Sequence, residues 1–156
     1  MKLILIKLEA KQMIIRKMTA DDIPELAQLY KEFWNEDSCL DFMYKQFGKL
    51  CTTHTHVFLS AIKKDRLVGS VMGVICEELY GDCKPFMVLE NMIVDKRYRN
   101  KGVGRALITE LERIAAEKNC TQIIFVTETN RNDACKFYES AGYNPEKYKG
   151  FKKKLI

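Results

Sequence analysis

One passage constrains this chain more than any other, the run from Val88 to Leu107, VLENMIVDKRYRNKGVGRAL. An apolar strand ends near Val94, a basic loop turns, and two glycines open a helix. Leu107, Leu111, Ile114 and Ala115 then recur at helical spacing. Glycines at 102 and 104 remove the side chains that would keep an anion away from the backbone. The N–H groups of the first helical turn have no intrahelical partner and point at that anion. Between Asp95 and Arg105 five basic residues face one acid, with Arg97, Arg99 and Lys101 beside the glycines. The passage therefore reads as a strand-to-helix cradle for a diphosphate.

The rest of the chain supplies the frame. Met13 to Arg16 reads as a short strand. Thr19 to Asp22 is a capping-box-like helix start with Pro24 in the first turn, and Ile23, Leu26, Ala27, Tyr30, Phe33 and Trp34 form an apolar helical face. Leu40, Met43, Phe47 and Leu50 give a weaker second helix. Val57 to Ile62 and Leu67 to Ile75, joined by Lys63 to Arg66, make a hairpin. Phe86 to Val94 is apolar except for Glu90 and Asn91, and the long helix runs to about Lys118. Ile123 to Val126 is a buried strand, Asp133 to Ala141 a short helix ended by Gly142, and Tyr143 to Ile156 one or two closing strands. Hairpins followed by β-α-β-α-β predict a mixed sheet with helices on both faces. Residues 1–12 stand before the first clear element as an extension, and 13–156 form one domain.

Composition narrows the class. The 156 residues suit a single domain, and no apolar run approaches the ~18–20 residues of a membrane span. Met1 to Lys7 lacks the apolar core of a secretory signal, so the expectation is a soluble, cytoplasmic protein with no membrane partner. Residues 1–94 carry 12 basic and 13 acidic groups, whereas 95–156 carry 14 and 8. That local basic block suits an anionic ligand better than a nucleic-acid coat. Lys152 to Lys154, in the expected last strand, read as a solvated edge. Six cysteines without any C-x-x-C pair predict reduced, mostly buried thiols, and two histidines, His54 and His56, predict no metal site.

Rival readings of the cradle fail on residues. A dinucleotide fingerprint needs a third glycine where Leu107 stands, and a P-loop needs G-K-[ST] where Gly104-Arg105-Ala106 stands. A glycine-rich turn without a ligand remains the bland alternative. Arg99-Asn100-Lys101-Gly102-Val103-Gly104, after a strand and before a helix, resembles the [R/Q]-x-x-G-x-[G/A] motif of the GNAT superfamily of acetyl-CoA-dependent N-acetyltransferases. Arg131 to Tyr143 is similar to that family's A-x-x-[F/L]-Y-x-x-x-G-[F/Y] helix and turn. The resemblance covers roughly Met13 to Ile156.

The resemblance implies a GNAT fold: a mostly antiparallel mixed sheet of about six to seven strands, with splayed central strands. It implies that backbone around Met92, Ile93 and Val94 pairs with the pantetheine arm of acetyl-CoA. Arg99, Asn100, Lys101, Gly102, Val103 and Gly104, with Arg105, would hold the pyrophosphate. Tyr138 would protonate the leaving thiolate, the alternative being an aromatic that packs the short helix. Many members carry asparagine seven residues before that tyrosine. Here Arg131 stands there between Asn130 and Asn132, and Asn132 is chosen as the cofactor contact. Glu90 resembles the general base of some members, with burial raising its pKa; a structural carboxylate paired with a basic neighbour is the alternative. No cysteine has a histidine close in sequence, so a covalent acetyl intermediate is poorly supported.

The function implied is direct acetyl transfer to a primary amine, of a small molecule, in a ternary complex. Glu32, Glu36, Asp37 and Asp41 hint at a cationic acceptor, and a solvated helix face explains them equally well. A monomer or homodimer without metal is expected. The alternative is a non-catalytic acyl-CoA-binding regulator or interaction module on the same fold.

Overall fold

A computed structural model describes residues 4–6 and 13–156. The chain forms two compact units, one running to Ile124 and the other Phe125–Ile156. In the first, β1 (Ile4–Ile6), β2 (Met13–Lys17), β3 (His56–Lys63), β4 (Arg66–Cys76), β5 (Phe86–Val94) and β6 (Ile123–Ile124) form one six-stranded sheet in sequence order. Every pairing is antiparallel except β5 with β6, which is parallel. This is the mixed sheet expected. Part of the expected N-terminal extension is thus a strand, Ile4–Ile6 paired with Met13–Ile15, while residues 1–3 and 7–12 of it lie outside the described residues.

The hairpin β3–β4 turns on Lys64 and Asp65, both with positive φ (51° and 58°), the geometry that matches strand twist in a two-residue turn. Helices α1 (Ile23–Trp34), α2 (Leu40–Cys51) and α3 (Val103–Glu117) flank the sheet. Helix α3 lies on the face carrying Gly69 and Gly73 of β4. A Cβ at Gly73 would sit 2.8 Å from Leu111 Cδ1, and one at Gly69 3.0 Å from Val103 Cγ1, so the two glycines set how closely α3 approaches. Leu107 and Leu111 are fully buried there, worth about 1.5–3 kcal/mol each.

The other face belongs to α1. Ile93 pairs with Ser70, whose side chain alternates with Gly69, and Ile93 joins a buried cluster with Met18, Ile23, Leu26, Leu29 and Leu67. The start of α1 is tied to the sheet through Asp22. Its carboxylate takes both guanidinium nitrogens of Arg16 (2.7 and 2.8 Å), the Ser60 hydroxyl (2.9 Å) and the Thr19 N–H (3.0 Å). Burial works to raise the Asp22 pKa, but these donors outweigh it and hold the carboxyl below its usual range.

One irregularity organises β5. Ser70 pairs with Ile93 and Met72 with Glu90, so Val71 alone faces two residues, Asn91 and Met92. Asn91 takes φ 49°, and the extra residue is a β-bulge. Before the bulge, Leu89 pairs with Gly73 and faces α3; after it, Ile93 faces α1.

The second unit contains α4 (Asn132–Ser140), closed by Ala141 and by Gly142 at φ 96°. The expected closing strands are absent among the described residues: 143–156 contains no strand. Phe151 (88% exposed) and Leu155 (85%) find no covering face, so burial does not offset the entropy of ordering this lysine-rich tail. The expected strand Ile123 to Val126 shortens to Ile123–Ile124.

Candidate functional site

The loop after β5 is built on Asp95. Its buried carboxylate accepts from the Arg97 N–H at 2.9 Å, from Arg97 Nη2 at 2.6 Å and from Nε at 3.1 Å. Hydrogen bonds from Arg97 keep Asp95 below the usual carboxylate range although burial opposes it. Arg97 is therefore committed to shaping the turn Lys96–Tyr98. Lys101 closes the same turn, donating from Nζ to the Arg97 carbonyl at 2.9 Å and lying 5.6 Å from the Tyr98 ring centre. Arg99 donates from Nε to the Val94 carbonyl at 3.2 Å, and its guanidinium lies 5.9 Å from the Phe33 ring centre of α1. Phe33 carried no functional signal in the sequence beyond its place on the apolar face of α1.

Asn100 and Gly102 both take left-handed conformations, φ 57° and 81°. Gly102 is the N-cap of α3 and supplies no side chain to cap it, so the N–H groups of Val103 and Gly104 are presented without a side-chain acceptor. Exposed Arg99, Asn100, Lys101 and Arg105 surround this helix mouth. The arrangement can take a phosphate through backbone N–H groups, the helix dipole and guanidinium charge together.

Beside this mouth the sheet opens. β6 pairs with β5 only at Met87 and Val88, so Leu89–Val94 has no strand partner on that side among the described residues. The Asp95 N–H bonds the Val68 carbonyl, which fixes the phase of the ladder: Ile93 turns its backbone to β4, whereas Met92 and Val94 turn theirs to the open edge. Of the three backbone contacts expected from sequence, Ile93 is thus already paired with Ser70. The edge formed by Met92 and Val94 can accept an extended amide-bearing chain as an added strand.

Glu90 departs from expectation. It is exposed, not buried as expected. It pairs with Met72 and shares the α1 face of the sheet, over which α2 lies with no buried residue. That loose cover leaves the carboxylate open to solvent beside the bulge. The thiols also differ: Cys39, Cys51 and Cys83 are exposed and Cys76, Cys120 and Cys135 half-buried, all unpaired. The acidic residues at the end of α1 are partly engaged, with Lys31 paired to Asp37 at 2.7 Å and Glu32 taking Gln28.

In the second unit Tyr138 lies among Phe125, Phe137 and Tyr143, with ring centres 4.4, 5.2 and 6.3 Å away. Burial pushes its phenol pKa up, with Arg131 opposing. Asn132 is the exposed first residue of α4, and Asn130 is exposed in the preceding turn.

The sequence model of the acetyltransferase (GNAT) family matches residues 23–143. The chain belongs to the GNAT acetyltransferase family. The glucosamine 6-phosphate N-acetyltransferase of Trypanosoma brucei brucei is 31% identical over 78 residues, 50% of this chain and 51% of that protein. The chain spans no more than about half the length of the curated relatives it matches. Among solved structures, glucosamine-6-phosphate N-acetyltransferase from Arabidopsis thaliana superposes with a TM-score of 0.82 at 18% identity, covering 92% of this chain and 99% of that one. Aminoglycoside N-acetyltransferase AAC(6')-Iy in complex with CoA gives 0.78 at 19% identity, covering 97% and 100%. No helix among the described residues is long and apolar enough to cross a membrane.

Proposed function

We propose that this GNAT protein transfers an acetyl group from acetyl-CoA to a primary amine by direct attack in a ternary complex. The observation that carries the reading is the continuity of two binding elements: the open edge of Met92 and Val94 runs directly into the uncapped mouth of α3. An extended amide arm ending in a diphosphate fits both in that order. Met92 and Val94 would bond the pantetheine amides. Arg99, Gly102, Val103, Gly104 and Arg105 would hold the pyrophosphate, with Asn100 and Lys101 shaping the loop and Asn132 as a further contact.

An acceptor ammonium with pKa near 10 must lose a proton before its nitrogen attacks a thioester. Glu90 is assigned that proton, acting from the solvent-open face directly or through one water. A backbone N–H at the bulge would meet the developing oxyanion. Tyr138 is assigned the proton that the departing thiolate needs, and its raised pKa keeps the phenol protonated until then. The glucosamine-phosphate and aminoglycoside enzymes named above support a small, polar amine as acceptor. We place the protein in the cytoplasm, where acetyl-CoA is supplied, as a monomer or homodimer.

The test is a thiol-release assay across amines pre-selected by thermal shift with CoA present. Acetylation of any primary amine with stoichiometric CoA release supports the reading. Tight CoA binding without turnover across the panel would replace it with the acyl-CoA-binding regulator.

A further inference from the structure

Resting on the transferase reading, we infer that His56 is a specificity-determining residue of the acceptor site, taking a hydrogen-bond donor at the end of the acceptor remote from the reacting amine.

The inference starts from a chain of hydrogen bonds. Thr53 donates its hydroxyl proton to the Leu50 carbonyl at the end of α2 (2.7 Å). Thr53 Oγ1 can then only accept, and it faces the Thr55 hydroxyl at 3.2 Å. Thr55 Oγ1 in turn lies 3.0 Å from His56 Nδ1, and Thr53 Oγ1 lies 3.4 Å from it. With the imidazole proton on Nδ1 every contact in this chain is a bond: His56 to Thr55, Thr55 to Thr53, Thr53 to Leu50. With the proton on Nε2, Thr55 must give its one proton to the ring, and the Thr55–Thr53 contact is left without a hydrogen. The chain therefore favours the Nδ1–H form, which leaves Nε2 as a lone-pair acceptor.

Nε2 has no hydrogen-bond partner among the described residues, and the only buried polar side-chain atom without a partner there is Thr127 Oγ1. Nε2 is accordingly open to a ligand. The ring is held by stacking on Phe58, with centres 6.1 Å apart and planes 20° apart, and Phe58 packs edge-on against Phe47 of α2 (5.4 Å).

Register places this acceptor atom on the working face. His56 pairs with Val74 and Val74 with Val88, while Phe58 pairs with Met72 and Met72 with Glu90. His56 and Glu90 thus share the α1 face, two strands and two residues apart, about 12 Å at the backbone. Phe58, Met72, Val74 and Val88 form an apolar floor between them. The ligand this face fits is an amine with an apolar middle and a hydroxyl or second ammonium at its far end. The amine lies at Glu90, and the distal donor bonds Nε2.

The chain has only two histidines, so long-range proton–nitrogen NMR of the imidazoles is simple to assign. At alkaline pH we expect His56 in the Nδ1–H form in wild type, and a shift toward Nε2–H in Thr55→Val. With CoA present, a ladder of linear amino alcohols of five to eight carbons should shift His56 Nε2, whereas the matching plain alkylamines should not. In turnover, His56→Phe should raise KM for the best amino alcohol by about tenfold, with kcat and KM for acetyl-CoA within about threefold. His56→Gln, which retains an acceptor near the Nε2 position, should restore most of the loss. The inference is overturned if His56 is Nε2–H in wild type, or if amino alcohols and alkylamines perturb it equally. It is also overturned if the His56→Phe KM is unchanged on amines that the enzyme does acetylate. Amino alcohols that bind at His56 without being acetylated leave the His56 contact standing and reject the transferase reading instead.

Discussion

Asp95 holds Arg97 through both its backbone N–H and its guanidinium, the shortest contact being 2.6 Å between Nη2 and Oδ2. This arginine of the basic loop is therefore engaged by a carboxylate of the same loop. Arg99, two residues on, is positioned by the Val94 carbonyl and the Phe33 ring. In the proposed cosubstrate site, phosphate recognition would therefore rest on Arg99 and the helix mouth, with Arg97 supplying the shape of the loop.

Arg99→Glu should weaken acetyl-CoA by more than about tenfold, because it sets a carboxylate beside the pyrophosphate and removes a charge-assisted donor. Gly104→Val should do similar damage by blocking the approach of the phosphate to the first turn. Calorimetric titration with CoA checks both, and wild-type affinity in folded Arg99→Glu would move the phosphates elsewhere.

Glu90→Gln should lower kcat/KM at neutral pH by about 10²–10⁴, the usual worth of general-base catalysis, and recover much of it at high pH where free amine is abundant. A mutant profile that only parallels wild type would remove Glu90 from the chemistry.

Tyr138→Phe keeps the ring and its contacts with Phe125, Phe137 and Tyr143, so the fold and acetyl-CoA affinity should hold within a few-fold. Turnover should fall by about 10²-fold if the hydroxyl gives its proton as the thiolate departs. Full kcat in this variant, with at most about 1 kcal/mol lost in stability, would make Tyr138 a packing residue.

Acid should destabilise the fold through Asp22 and Asp95. Both carboxyls titrate lower in the folded chain than in the unfolded one. The unfolded chain thus takes up protons first as pH falls, and the stability present above the ordinary carboxylate range is lost below it. Urea melts at neutral pH and near pH 3 should show this loss. Asp22→Asn should cost about 2–3 kcal/mol at neutral pH, since Arg16 is partly exposed, and should flatten the acid slope. An unchanged slope would assign acid sensitivity to other groups.

Much of the local geometry of the candidate site was legible because it is contiguous in sequence. A strand, a basic turn and a glycine-opened helix lie within twenty residues, and the chemistry of anion binding is set by residue type and order. The exposure of Glu90 was not legible, because it depends on how loosely α2 covers the sheet. The bulge at Asn91 depends on which residue of β4 stands opposite, a register that no pattern within β5 reveals. The tail differs for a related reason: a closing strand with Lys152 to Lys154 as its solvated edge needs a face that buries Phe151 and Leu155, and nothing covers their side chains. The role proposed for His56 was not legible either, because it rests on the Thr53 and Thr55 hydroxyls, whose hydrogen-bond directions no sequence pattern gives.

The extra residue at Asn91 makes β5 a strand read in two frames. Were Asn91 paired like its neighbours instead of bulged, one alternation would continue, and Ile93 would follow Met87 and Leu89 toward α3, emptying its place among Leu26, Leu29 and Leu67. Met92 and Val94 would at the same time turn their amides into the ladder with β4, away from the open edge. A substitution that flattens the bulge at constant length would disturb a core contact and the open edge in one event. The left-handed conformation of one residue, Asn91, thus sets both where Ile93 packs and which way the Met92 and Val94 amides turn.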